Sequence, residues 1–158
     1  MQLDIKYTTE RAKKTFIKLA SYVKDLEPVW TKFIDYWKNS VMPSTWNSEG
    51  ALMEGKKWEP LTKKYKQWKE KNYPGKGMLV LSGKLFNAAS GGTGWYQKLD
   101  SKKLEIGVQG KDYFYYVSER MKNPRKYFYT TEGDMPARVW KELIDFTTVY
   151  LESADDDR

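Results

Sequence analysis

The sequence predicts an α+β domain, with N-terminal helices, a small and mostly antiparallel sheet, and a C-terminal helix packed on that sheet. Three observations lead there. Apolar residues recur at helical spacing from Ala12 to Val41 and again from Val139 to Tyr150. Between them, apolar and polar residues alternate on either side of Asp100-Ser101. Pro74-Gly75-Lys76-Gly77 and Gly91-Gly92-Thr93-Gly94 punctuate the interval. A chain of 158 residues is expected to form one domain, here 1–152, with a disordered acidic tail over 153–158.

Each element has its own signal. Leu3, Ile5 and Tyr7 alternate with Asp4 and Lys6, as in a short strand. Thr8 or Thr9 caps a first helix, whose Ala12, Phe16, Leu19, Ala20 and Val23 form one stripe to about Asp25. Pro28 suits the first turn of a second helix, with Val29, Phe33, Ile34, Trp37 and Val41 on its buried face. Pro43 is expected to end that helix and open a loop over 43–59. A short helix from Lys63 to Lys71 carries Leu61, Tyr65 and Trp68 on one side and lysines on the other.

Leu79, Leu81 and Leu85 are candidate core residues, and Ser82 is a candidate cap for a helix reaching Ala89. A hairpin follows over Trp95–Leu99 and Lys103–Val108, with further strands expected at Tyr113–Val117 and Tyr127–Tyr129. Asp134 caps the last helix, with Pro136 in its first turn. Val139, Leu143, Phe146, Val149 and Tyr150 form its buried face.

Two zeros narrow the chemistry. The chain has no Cys and no His, so disulfides, Cys/His zinc sites, thiol nucleophiles and histidine acid–base pairs are excluded. Any catalyst here would need carboxylates, Lys or Tyr. Glu10, Asp25, Glu27 and Asp35 lie on two helices, but their spacing isolates no pair and they read as solvated. Gly91-Gly92-Thr93-Gly94 opens no helix and is followed by no Gly-Lys-Ser/Thr, so it reads as a turn. The expectation is therefore a non-enzymatic protein with no catalytic residues, no cofactor and no metal. No apolar run approaches the ~20 residues of a membrane span. The start, Met1-Gln2-Leu3-Asp4-Ile5-Lys6, lacks the basic and apolar regions of a signal peptide, so a cytoplasmic chain is expected.

The charge is concentrated. The formal net charge is +7, and residues 1–80 hold 16 Lys/Arg against 9 Asp/Glu, whereas 81–158 hold 12 of each. Lys56, Lys57, Lys63, Lys64, Lys66, Lys69, Lys71 and Lys76 stand against Glu59 and Glu70 alone. One loop and helix thus supply nearly all of the excess. Mobile point charges without arginine suit sequence-independent contact with phosphate or an acidic partner. Lys56, Lys57, Trp58, Lys63, Lys64, Lys66, Lys69 and Lys71 are the candidate interface or DNA-facing residues. Trp58, Tyr65 and Trp68 lie among the lysines, and such rings can stack on single-stranded bases. Their helical spacing favours the other reading, in which they face the core. Tyr113-Phe114-Tyr115-Tyr116 is a candidate subunit contact, and Asp155-Asp156-Asp157 a solubilising end or a partner for the basic stripe of another copy.

The order of segments resembles the bacteriophage virion morphogenesis proteins, also called tail completion proteins. The family shows Gly-x-x-Trp-x-Pro-Leu-Ser/Thr, matched by Gly55-Lys56-Lys57-Trp58-Glu59-Pro60-Leu61-Thr62 and followed by Tyr65 and Lys69. Its Leu-x-x-Thr/Ser-Gly-x-Leu is matched by Leu79-Val80-Leu81-Ser82-Gly83-Lys84-Leu85. Leu104-Glu105-Ile106-Gly107, Tyr113 and Pro124-Arg125-Lys126-Tyr127-Phe128 continue the order, and the likeness covers about residues 55–150. Where the family often has His-Gln-x-Gly, this chain has Val117-Ser118-Glu119-Arg120. The motif residues carried over are Trp58, Pro60, Leu61, Tyr65, Leu81, Gly83, Leu85, Tyr113 and Arg125.

The resemblance implies a structural role at the head–tail junction of a tailed phage virion, in its neck or at its tail terminator. The subunits would form a ring of about six copies, closed by two different complementary surfaces on each. Its partners would be head connector or neck proteins, the tail-tube protein and genomic DNA in the channel, with no membrane. The protein would be made in the host cytoplasm and end in the virion. The alternative, from the residues alone, is a small basic nucleic-acid-binding module that uses the Lys/Trp/Tyr element at 56–76.

Overall fold

A computed structural model of the chain describes residues 14, 17–109, 125 and 135–153. The fold is α+β: helices, a two-stranded antiparallel sheet and a long C-terminal helix. Several expected features lie outside the described residues. They are the strand Leu3–Tyr7, the start of the first helix, the strands at Tyr113–Val117 and Tyr127–Tyr129, the Asp134 cap and the acidic tail.

Helix α1 covers 17–24. Asp25 then breaks the run, and its Oδ1 accepts the Glu27 N–H at 3.1 Å, opening α2, Glu27–Tyr36. Pro28 lies in the first turn of α2, where its missing N–H costs nothing. Val29, Phe33, Ile34, Trp37 and Val41 are all buried, as their spacing predicts.

Pro43 does not end the helix. Trp37–Val41 is a π-helical turn, in which the Met42 N–H donates to the Trp37 carbonyl, and α3, Met42–Asn47, follows directly. In a regular helix a proline ring crowds the carbonyl four residues back. The wider turn just before Pro43 relieves that crowding and lets the chain continue. The expected loop over 43–59 is therefore largely helical, with α3, a tight turn and α4, Ala51–Glu54. Glu49 and Gly50 make the turn at φ 53° and 88°.

Helix α5, Lys63–Asn72, matches its expected span. Helix α6, Lys84–Ala89, begins at Gly83 (φ 76°) without a side-chain cap, so Ser82 does not fill that role. A left-handed glycine reverses the chain there and leaves Ser82 one residue too early. Leu85 is buried, while Leu79 and Leu81 are half-buried.

Strands β1, Trp95–Leu99, and β2, Leu104–Val108, pair with Trp95 opposite Val108 and Leu99 opposite Leu104. Asp100 Oδ1 accepts the N–H groups of Lys102 and Lys103 at 2.8 and 2.9 Å and so closes the turn. Helix α7, Ala137–Glu152, starts two residues later than expected, with Pro136 at the N-cap and its carbonyl accepting from Val139 and Trp140.

The core gathers Phe33, Trp37, Val41, Met42, Met53, Trp58, Leu85, Ala88, Ala89 and Val139. Helix α7, expected to pack on the sheet, packs mainly on α2 instead, where Tyr36 meets Phe146 edge-on at 5.8 Å. It also meets α1, through Tyr22 and Tyr150, whose rings stack at 4.7 Å, while the Tyr150 hydroxyl donates to the Asp25 carbonyl. That joint corrects the expected burial of Ala20, Val23 and Val149, which are exposed. Neighbouring helix positions point about 100° apart. Seating Tyr22 and Tyr150 in the joint therefore turns Val23 and Val149 outward.

Candidate functional site

The lysine-rich element begins at a deep anchor. The Trp58 N–H donates to the Glu49 carbonyl at 2.6 Å, and its indole is buried edge-on against Trp46. Arg125, itself buried, donates from Nη2 to the Glu59 carbonyl at 3.0 Å. Thr62 then caps α5, its Oγ1 accepting the Tyr65 N–H at 3.4 Å. A hydroxyl one residue before the helix satisfies an orphan backbone donor and sets where the first turn starts.

A second tie fixes which way α5 faces. Lys69 is only 5 % exposed, and its Nζ donates to the Gly77 carbonyl at 2.6 Å. Burial pushes the Lys69 ammonium below its ordinary range, and the Arg125 guanidinium adds to the shift. Lys69 therefore holds the loop after α5 and is not one of the outward lysines among which the sequence placed it. It is also the one buried residue of the helix.

The rest of α5 follows from that tie. With Lys69 inward, Trp68, about 100° round the helix, must point out. Tyr65, Trp68 and Tyr73 are 39 %, 46 % and 40 % exposed. The expected core-facing stripe is thus corrected: Leu61 is half-buried, Tyr65 and Trp68 face solvent, and only Trp58 enters the core. The exposed rings contact one another. Tyr65 and Trp68 stack at 5.4 Å with their planes 21° apart, and Tyr73 lies 5.7 Å from Trp68.

Lys56, Lys57, Lys63, Lys64, Lys66, Lys71 and Lys76 are exposed. Lys57 pairs with Glu49 at 3.4 Å and Lys66 with Glu70 at 3.9 Å. Lys63, Lys64 and Lys71 have no ion-pair partner among the described residues. The first turn of α5 holds no acidic side chain. Its lysines therefore stand at the positive end of the helix dipole, where cations are disfavoured.

The residues that carry the resemblance divide into two groups. Trp58 and Leu85 share the core, Arg125 reaches the Trp58 segment, and Gly83 supplies the left-handed start of α6. Pro60 and Tyr65 are exposed, Leu61 and Leu81 are half-buried, and Tyr113 lies outside the described residues. Sequence reasoning did not single out Trp46, Gly50 or Tyr73. Of these, only Tyr73 carried a local signal, as the ring just before Pro74 at the end of the stripe.

The glycine-rich turn is a packing device. Gly92 donates its N–H to the Asn87 carbonyl at 2.8 Å. Gly91 makes room for Lys38, whose ammonium lies over the Trp95 ring at 5.0 Å. Among the described residues no three acidic side chains form a group able to hold a metal ion, and no helix is long and apolar enough to cross a membrane. Set against protein-family profiles, curated proteins and solved structures, the chain finds no match in any of the three.

Proposed function

We propose that the chain is a non-enzymatic structural subunit of a tailed bacteriophage virion. In this reading it forms a ring at the head–tail junction, completing or terminating the tail and joining it to the head. Copies of itself, head connector or neck proteins and the tail-tube protein are its partners, with genomic DNA in the channel. It works in the virion and assembles in the host cytoplasm.

One observation carries this reading. The separated pieces of the resemblance meet in space: the buried Trp58 packs in the same core as Leu85, and Arg125 holds the Glu59 carbonyl from 66 residues further along the chain. A motif spread over the chain whose parts pack together behaves as a fold signature. Such a signature supports a shared architecture; the role itself is carried over by analogy with the family it resembles. The apolar side chains left outside suit an assembling subunit. Ile17 and Val23 on α1 and Ile144 and Val149 on α7 are all exposed, on two helices that touch at Tyr22 and Tyr150.

The test is direct. The purified chain is mixed with tails lacking their head-proximal end and viewed by negative-stain microscopy. A ring at one end of each tail is expected, and Val149→Glu, at an exposed site, should abolish it while the melting temperature holds. Bare tail ends with folded wild-type protein in excess would contradict the proposal.

A further inference from the structure

We infer that the outer face of α5 is a binding site for single-stranded nucleic acid, with unpaired bases stacking on Tyr65, Trp68 and Tyr73 and phosphates meeting Lys64 and Lys71. The inference concerns the isolated chain and does not depend on the virion reading. Trp68 touches Tyr65 on one side and Tyr73 on the other, so three exposed rings present one continuous aromatic surface on an otherwise polar helix. Every base has a flat face that can lie on such a surface, whatever its identity.

The charges fall where a backbone would run. Lys64 is four residues before Trp68 and Lys71 three after, so both share its side of the helix. Neither has an ion-pair partner among the described residues. The helix's acidic residue, Glu70, is two positions from Trp68 and so points away, paired with Lys66. The rings thus have cations on their flank, and the carboxylate is turned aside.

The chemistry of the face argues for its occupant. A protein partner would have to strip water from the flanking ammonium groups, and lysine is depleted at the centres of protein interfaces for that reason. A polyanion needs no such step, because it exchanges bound counterions for the lysines. A duplex already stacks its bases internally and offers no free base faces along its length. Unpaired bases satisfy both the rings and the lysines.

The experiment uses fluorescein-labelled oligothymidylate, a duplex of equal length and inorganic polyphosphate, each titrated with the full chain at two salt concentrations. The single strand is expected to bind most tightly. Trp68→Ala should weaken it about tenfold or more, the effect expected for one stacked base, with the melting temperature unchanged. The double variant Lys64→Gln/Lys71→Gln should flatten the salt dependence by about 1.4 in log–log slope, or about 0.7 for each single-strand phosphate that is no longer neutralised. Equal binding of all three ligands with no effect of Trp68→Ala would overturn the inference in favour of charge alone. An absence of oligonucleotide binding, with Trp68→Ala breaking up a self-associated wild-type chain, would overturn it in favour of a second copy on this face.

Discussion

A β-carbon on Gly50 would sit 2.1 Å from Nε1 of Trp58, so the buried indole occupies the space a side chain at residue 50 would need. Gly50 also holds φ 88°, a left-handed conformation that other residues adopt at a cost. Gly50→Ala therefore combines backbone strain with overpacking and is expected to cost about 2–4 kcal/mol. Urea denaturation of the variant checks this. Because the clash is with Trp58, Gly50→Ala and Trp58→Phe should be strongly non-additive in a double-mutant cycle. Simple additivity would mean that the two residues do not share that space.

Lys63 and Lys64 separate stability from binding. They occupy the first two positions of α5, against the helix dipole, with no acid nearby in the first turn. Changing either to Glu is expected to stabilise the fold by about 0.3–1 kcal/mol. The same changes should weaken oligonucleotide binding. Thermal melts and anisotropy titrations of the two variants give opposite signs if these lysines serve a ligand. Loss of both stability and binding would mean that they serve the fold.

The contrast between α2 and α5 shows what was legible from sequence. The buried face of α2 needed only Pro28 and a periodic row of apolar residues, because both signals are local. Helix α5 was equally visible as a span, yet the direction of its face was not. That direction depends on Lys69 reaching Gly77 and on Arg125 reaching Glu59, interactions that no periodicity encodes. Pro43 misled for a related reason, since its effect depends on the π-helical turn before it. The lysines of the candidate site could be counted in the sequence. Which rings stood beside them in solvent could not.

Lys69 offers a second check on α5. Lys69→Met keeps an unbranched chain in the buried position but removes the bond to the Gly77 carbonyl. The missing bond is offset in part by removal of a buried charge, so the change in melting temperature should be small. The loop over 74–77 loses its tie, and tryptic cleavage after Lys76 should accelerate severalfold. Unchanged cleavage would show that the loop is held by other interactions.

The β1–β2 hairpin should respond to pH at both extremes. Asp100 is held below the usual carboxylate range, first by the Lys102 N–H, and Glu105 first by the Lys103 ammonium. Folding favours their charged forms, so their contribution is complete above the unfolded carboxylate pKa of about 4. It is lost as pH falls through the lower folded values. Tyr96 and Lys103 are raised, each first by its bond to Glu105. Their contribution is complete below unfolded values of about 10 and is lost as pH rises through the folded ones. Amide exchange across Trp95–Leu99 should quicken at both ends, and Glu105→Gln should remove most of the alkaline response. An alkaline response unchanged in Glu105→Gln would assign it elsewhere.

The central claim, a structural role at the head–tail junction, is tested most directly by electron microscopy of particles made from a phage genome lacking this reading frame. The account predicts filled heads beside detached tails, or tails of uncontrolled length, restored to joined virions when the chain is supplied in trans. Normal, infectious virions without it would contradict the account.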